Sequence, residues 1–165
     1  MRSNAFDGVF MTAAVSDYTP AGAFEVTERV RHPDGTETWR VRDVAAGKVK
    51  SHYDAVAWLG RRTEKLVDLF RGEWAFRGLL VKFKLEVGID AENLVRVGQA
   101  SRLASGADYL VANTLEMTQG EGAGAFLLAE ELREWVPRSQ LAERLARVAR
   151  EWVERQRDAS PHAGS

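Results

Sequence analysis

The length and composition are those of one ordinary globular domain. The chain has 165 residues, 45% of them hydrophobic and 28% charged, with a formal net charge of -1, which is not the balance of a disordered, membrane or strongly basic nucleic-acid-binding protein. There is no cysteine, which excludes disulfides and thiolate metal sites, and the three histidines (His32, His52 and His162) are too scattered to indicate zinc.

The N-terminal third predicts a strand and then a hairpin. Residues 7–15 form a largely apolar run that ends in small residues, which favours a buried strand leading into a loop. This run is too short and broken for a signal peptide or a membrane span, so a cytoplasmic location is expected. Residues 24–30 and 37–44 flank a Pro-Asp-Gly turn and predict a hairpin that carries most of its charge on one face.

The next segment predicts a loop and a short helix. Residues 45–51 are small and basic, which is typical of a loop. Thr63 is expected to cap a helix that ends at Gly72, because Leu66, Val67 and Phe70 share one helical face.

From residue 79 onward strands and helices alternate. Strands are predicted at residues 79–87, 109–113 and 125–129, and the glycines at 120, 122 and 124 indicate a mobile loop before the last of them. Asp90 is expected to cap a helix that runs to about Ser105 and ends at Gly106. Ser139 opens the last helix, whose apolar stripe is Leu141, Leu145, Val148 and Trp152.

This alternation predicts an α/β fold. Strands joined by helices run parallel through right-handed crossovers, so we expect a Rossmann-like three-layer sandwich with a mostly parallel sheet, plus a protruding β-hairpin. The domain is expected to cover residues 1–157, followed by a disordered tail at residues 158–165. Ligands of such folds sit at the carboxyl ends of the strands, where the polar candidates are Asp17, Lys84, Glu86 and Asn113.

The lysines are unusually distributed. Only 5 of the 23 basic residues are lysines, and four of these form two K-x-K pairs, Lys48 with Lys50 and Lys82 with Lys84. They are either ordinary surface charges or compact cations placed for a phosphate.

Four segments carry a resemblance to a known family. They are AAVSDY at 13–18, KVKS at 48–51, VKFKLE at 81–86 and ADYLVAN at 107–113. In this order and at this spacing, the chain resembles the C-terminal part of phosphopantothenoylcysteine synthetase, the synthetase domain of the DNA/pantothenate metabolism flavoproteins. The family's glycine-rich first strand loop, and its segment with the asparagine that handles the acyl-nucleotide intermediate, have no counterpart before Met1.

The resemblance implies a ligase of coenzyme A biosynthesis. A nucleoside triphosphate, CTP or ATP with Mg²⁺, would activate the carboxylate of 4'-phosphopantothenate, and the amine of cysteine would then displace the nucleotide. Such a reaction depends on cations and on positioning more than on an acid-base pair. The resemblance also implies a homodimer built with the hairpin, and a half-site that a second chain carrying the N-terminal portion would complete.

The family's functional residues map onto individual positions of this chain. Lys48 corresponds to the lysine implicated in catalysis. The nucleotide-binding positions correspond to Ala13, Asp17, Glu64, Lys65, Leu66, Val67, Phe83, Ser101 and Ser105, and we add Lys50, Lys84, Arg102 and Asn113 as candidates for substrate or phosphate. Ser101 and Ser105 stand where the family commonly has lysines, and Arg102 is near enough in sequence to compensate.

Two other functions compete with the ligase. The first is a non-catalytic module, derived from the synthetase, that binds a nucleotide or phosphopantothenate without forming the amide. The second is a Rossmann-like oxidoreductase, which the sequence disfavours because no G-x-G-x-x-G follows a strand.

Overall fold

The computed structural model describes residues 6–13, 15–44, 49 and 51–159. Contacts divide the chain into two compact units: the larger combines Met1–Ala13 with Leu66–Ser165, and the smaller is Ala14–Lys65. The elements, in chain order, are β1 (Gly8–Met11), β2 (Tyr18–Arg31), β3 (Glu37–Asp43), β4 (Val56–Arg62), α1 (Leu66–Leu69), β5 (Leu79–Glu86), α2 (Ala91–Ser105), β6 (Tyr109–Thr114), a 3-10 turn (Glu116–Thr118), β7 (Gly124–Leu128), β8 (Arg133–Pro137) and α3 (Arg138–Ala159).

The larger unit contains a mixed five-stranded sheet in the order β1-β5-β6-β7-β8. β1, β5 and β6 are parallel, whereas β7 and β8 are antiparallel to their neighbours. The α/β class is confirmed, but the prediction of a mostly parallel sheet is wrong for β7 and β8. β6 and β7 are joined by a short segment with only a 3-10 turn, and a parallel pair needs a longer crossover. β8 was not predicted at all.

The two long helices cover opposite faces of this sheet. Val81, Val111, Leu127 and Val136 form one cluster with Val148 of α3. The alternate residues of β6 and β7 turn the other way, and Leu110, Ala112 and Leu128 pack against Leu94 of α2. The predicted stripe of the last helix is confirmed, because Leu141, Leu145 and Trp152 all pack on the first cluster.

Helix α2 begins and ends as predicted. The Asp90 carboxylate accepts the backbone N–H of Asn93 at 2.7 Å, and this bond, followed by the one from the Asn93 side chain, holds the pKa of Asp90 below its ordinary value. At the other end Gly106 has φ 63°, a left-handed cap that few other residues adopt easily. Its N–H is shared between the carbonyls of Arg102 and Leu103.

The smaller unit is a three-stranded antiparallel sheet in the order β3-β2-β4. The predicted hairpin is confirmed as β2 and β3, which form a sheet separate from the five-stranded one. β4 was missed: it pairs along the other side of β2, with Trp58 opposite Ala23 and Leu59 opposite Gly22. Both Trp58 and Leu59 are more than half exposed, so the strand lacks the alternation of a half-buried one.

One local prediction is wrong. Thr63 does not cap a helix: its N–H bonds to the Asp17 carbonyl at 2.9 Å, and α1 begins at Leu66 and has 4 residues. Helix α3 includes Asp158 and Ala159, while residues 160–165 of the predicted tail lie outside the described part. None of the helices in the described part is long and apolar enough to cross a membrane.

Candidate functional site

The larger unit brings three predicted site residues to one edge of its sheet. In the parallel register Leu85 pairs with Asn113 and Glu86 with Thr114, so β5 and β6 end together. Side chains alternate between the faces of a sheet. Asn113 therefore shares the α3 face with Phe83, whereas Lys84 and Glu86 point to the α2 face. The expectation that polar residues gather at this carboxyl edge agrees with this geometry.

Lys84 and Glu86 neutralise each other. Lys84 Nζ lies 2.7 Å from Glu86 Oε1, and both side chains are more than two-thirds buried. Because the Glu86 carboxylate offsets its charge, Lys84 offers a phosphate less positive charge than a free lysine would. Phe83, on the other face, packs against the α3-side core, which leaves only part of its ring for a ligand.

A cleft of about 410 Å³ opens beside Asn113. Its walls include Thr118, Gly124 and Arg138 as well as Leu141 of α3. Arg138 is the first residue of α3; its Nη1 donates to the Thr118 carbonyl at 3.2 Å and its backbone N–H to the Ala123 carbonyl at 2.8 Å. A cation and a primary amide in one cleft can bind a phosphate or carbonyl oxygen.

Sequence reasoning missed Arg138. The signal that could have found it is its place directly after Pro137, between a strand and the last helix, although the strand itself was not predicted. Nearby, a hydrogen bond from the Thr114 hydroxyl, followed by one from the backbone N–H of Glu116 itself, holds the pKa of the Glu116 carboxyl below its ordinary value. The edge therefore keeps a carboxylate charge as well as a cation.

The α2 candidates lie elsewhere. The Ser105 side chain is buried, and its hydroxyl donates to the carbonyls of Ser101 (3.0 Å) and Arg102 (3.2 Å) inside the helix. Lys82 Nζ donates to the same Ser101 carbonyl at 3.2 Å. Arg102 bonds to the Ala107 carbonyl, just before β6 begins. The structure thus places Arg102 and Ser105 toward the amino end of β6 and does not gather them with Asn113.

The other predicted residues fall into three groups. Asp17, Glu64 and Lys65 are exposed residues of the smaller unit. Ala13 is exposed just after β1, and Leu66 and Val67 open α1, where Val67 packs against the core cluster that contains Phe70. Lys48 and Lys50 lie outside the described residues.

Three comparisons place this geometry among known proteins. No protein-family model matches the chain. The coenzyme A biosynthesis bifunctional protein CoaBC of Thermococcus kodakarensis is 29% identical over 148 residues, which is 88% of this chain and 31% of that protein. The DNA/pantothenate metabolism flavoprotein of Streptococcus pneumoniae has a similar structure, with a TM-score of 0.65 at 21% identity over 92% of this chain and 63% of that one.

A third similar protein was solved with a compound bound. A Cab2 mutant in complex with phosphopantothenate-cysteine superposes with a TM-score of 0.54 at 18% identity, over 88% of this chain and 45% of that one. At these identities the solved structures support the fold alone. The sequence match goes further: the chain is similar in sequence to CoaBC over most of its own length, which agrees with the resemblance carried by the four segments, and it spans about a third of that relative's length.

Proposed function

We propose that this chain provides part of a phosphopantothenate-cysteine ligase of coenzyme A biosynthesis. The observation that carries the proposal is the 29% identity to CoaBC over 148 residues, which is 88% of this chain. The phosphopantothenate-cysteine bound to the Cab2 mutant supports it, because that compound is what such a ligase forms or passes on.

The proposed reaction has two steps. The carboxylate of 4'-phosphopantothenate attacks the α-phosphorus of CTP or ATP, and pyrophosphate leaves. The cysteine amine then attacks the acyl carbon, loses a proton, and displaces the nucleoside monophosphate. Both steps place negative charge on phosphate oxygens, so the chain's task is to supply cations and to align two reactants. We assign Lys48 to the first role, and the nucleotide-binding residues named above to the second.

Magnesium would accompany the triphosphate. The described residues contain no group of three or more His, Cys, Asp or Glu that could hold a metal by themselves. Mg²⁺ on a nucleotide needs only one or two protein carboxylates besides the phosphates. Asp17 fits this need, because it is exposed and its carboxylate has no hydrogen bond or ion pair within the described residues. The ion's contribution is to neutralise phosphate charge.

A direct assay tests the proposal. Purified chain is incubated with phosphopantothenate, cysteine, Mg²⁺ and either CTP or ATP, and pyrophosphate release and amide formation are followed separately. As part of a ligase, the chain is expected to form amide only when the remaining portion of a CoaBC-type synthetase is supplied. Amide synthesis by these 165 residues alone would contradict the part-site proposal.

One observation favours the non-catalytic alternative. Positions 101 and 105 are serines where the family commonly has lysines, and the Ser105 hydroxyl is already bonded within α2. A module of this kind would bind nucleotide in an equilibrium titration and release no pyrophosphate in the supplemented assay. These two results together would favour the binding module over the ligase as the function of this chain.

We also propose that the smaller unit mediates self-association. Its three-stranded sheet exposes Trp39 (46%), Trp58 (63%) and Leu59 (54%). Trp58 and Leu59 lie on opposite faces of the sheet, because successive side chains of a strand alternate, and exposed aromatic residues are typical of interfaces. Sedimentation should show a dimer of the wild-type chain at micromolar concentration. The double variant Trp58→Ser/Leu59→Ser should sediment as a monomer, whereas Leu103→Ser, an equally exposed residue of α2, should leave the dimer intact. A monomeric wild type would contradict the proposal.

A further inference from the structure

A second cleft, of about 640 Å³, lies at the opposite end of the five-stranded sheet. It is formed by the end of α2, the start of β6, the turn between β7 and β8, and the last turns of α3. Such a volume is ordinary for a small-molecule site. Arg102 was named above as a candidate for substrate or phosphate, but the proposed ligase function assigns no other residue of this cleft, which lies away from the carboxyl ends of β5 and β6.

Arg102 is the buried charge of this cleft. The residue is only 8% exposed. Its Nε–H donates to Gln99 Oε1 at 2.8 Å and its Nη1 to the Ala107 carbonyl at 3.2 Å. Gln99 is itself fixed, since its amide donates to the Ala129 carbonyl at 2.7 Å. The guanidinium is therefore held in one orientation by neutral partners.

Arg102 has no carboxylate partner within the described part of the chain. A buried cation without a counter-charge is costly, and the negative end of the α2 dipole offsets only part of that cost. Three of its five N–H groups, both on Nη2 and one on Nη1, are left without an acceptor among the described residues. Nη2 is not among the fully buried atoms without a partner, so it keeps some accessible surface, and Arg102 lines the cleft.

The rest of the lining narrows the ligand class. Leu132 and Trp152 supply apolar wall, and the Arg155 guanidinium lies 5.9 Å from the Trp152 ring centroid. Glu130 and Glu131 are exposed at the β7–β8 turn and also line the cleft. Their charges disfavour a dianion such as phosphate, whereas a single carboxylate matches the planar fork that Arg102 still offers.

We propose that this cleft binds the carboxylate of a small molecule that also carries an apolar or aromatic group. Arg102 receives the carboxylate through its free N–H groups, and the apolar group rests against Leu132 and Trp152. The cleft lies at the end of β6 opposite to Asn113, and its occupancy is measured without the ligase reaction.

Benzoate is the probe. In a ¹⁵N-¹H correlation spectrum of the full chain, added benzoate should shift the amides of Gly106, Ala107 and Leu132 and the indole N–H of Trp152, with a dissociation constant of about 1 mM, as expected for a fragment with few contacts. Benzamide, which has the same ring without the charge, should produce no such shifts. Inorganic phosphate should produce none at the same concentration.

Arg102→Gln should weaken benzoate binding at least about tenfold, whereas Arg96→Gln, on an exposed turn of the same helix, should leave binding unchanged. Unchanged affinity in a folded Arg102→Gln protein, or equal shifts with benzamide, would overturn the proposal. If Arg102→Gln does not fold, the double variant Glu130→Gln/Glu131→Gln tests the carboxylate site instead. It should bind benzoate about two- to threefold more tightly at low salt, and no gain would count against the carboxylate site.

Discussion

Lys48→Gln is expected to lower amide formation, in the complex that supports it, by about 100- to 1000-fold, which corresponds to roughly 3–4 kcal/mol of transition-state stabilisation. Lys48 lies outside the described residues, so the expectation rests on its place in the KVKS segment and on the charge that develops when pyrophosphate leaves. Glutamine is one atom shorter than lysine, keeps a polar end group and removes the charge. The loss should appear in turnover under saturating nucleotide, and circular dichroism should show an unchanged fold.

Lys82→Gln is the matched comparison. Lys82 belongs to the other K-x-K pair, but its Nζ bonds to the Ser101 carbonyl and ties β5 to α2. Removing it should lower the free energy of unfolding slightly and leave turnover within about threefold of wild type. Equal activity of wild type and Lys48→Gln would remove Lys48 from the site, and equal losses in the two variants would show that the effect is not specific to the KVKS lysine.

The second large effect that we expect is a loss of stability in the Arg71→Gln variant. The Arg71 guanidinium donates to the carbonyls of Gly106, Phe76 and Gly78 at 2.7–3.0 Å and to Asp108 Oδ2 at 2.6 Å. It is 23% exposed and Asp108 is 26% exposed. Removing it takes the counter-charge from the Asp108 carboxylate, which keeps the Leu80 N–H at 2.7 Å, and takes one donor from each of three carbonyls. We expect a loss of about 2–4 kcal/mol in the free energy of unfolding.

Urea unfolding measures this loss as a lower midpoint at an unchanged slope. Arg77→Gln is the control, because Arg77 is an exposed neighbour with no hydrogen bond or ion pair in the described part of the chain. Its free energy of unfolding should stay within about 0.5 kcal/mol of the wild-type value. A shift for Arg71→Gln no larger than that of Arg77→Gln would show that the four bonds contribute little.

The sequence predicted the elements whose signals are local. Helix α2 was correct at both ends because Asp90 and Gly106 carry their capping chemistry in the chain itself. β5 and β6 were predicted because buried central strands are continuous apolar runs. β4 and β8 were missed for the opposite reason: each has exposed residues, Trp58 and Trp135 among them, and is defined by its partner strand. The direction of β7 also depends on a pairing that no local pattern encodes.

The same distinction applies to the candidate site, where some features follow from the fold class and others depend on side-chain contacts. Fold class alone predicted that Lys84 and Asn113 would reach the same edge, and they do. That Lys84 is neutralised by Glu86, or that the Ser105 hydroxyl is bonded within its helix, depends on side-chain geometry within a few ångströms. Arg138 joins Asn113 only because β7 and β8 return the chain to that edge, which could not be predicted without the antiparallel half of the sheet.

The position of β1 has a consequence for the order of folding. β1 pairs with β5, Val9 opposite Leu80, although the whole smaller unit lies between them in sequence. Pairing β1 with β5 closes a long chain loop, and the conformational entropy of that loop must be lost before any contact between the two strands is gained. The hairpin of β7 and β8 and the helix that follows it form from near neighbours. The sheet is therefore expected to assemble from its C-terminal side, with the first strand of the sequence arriving last.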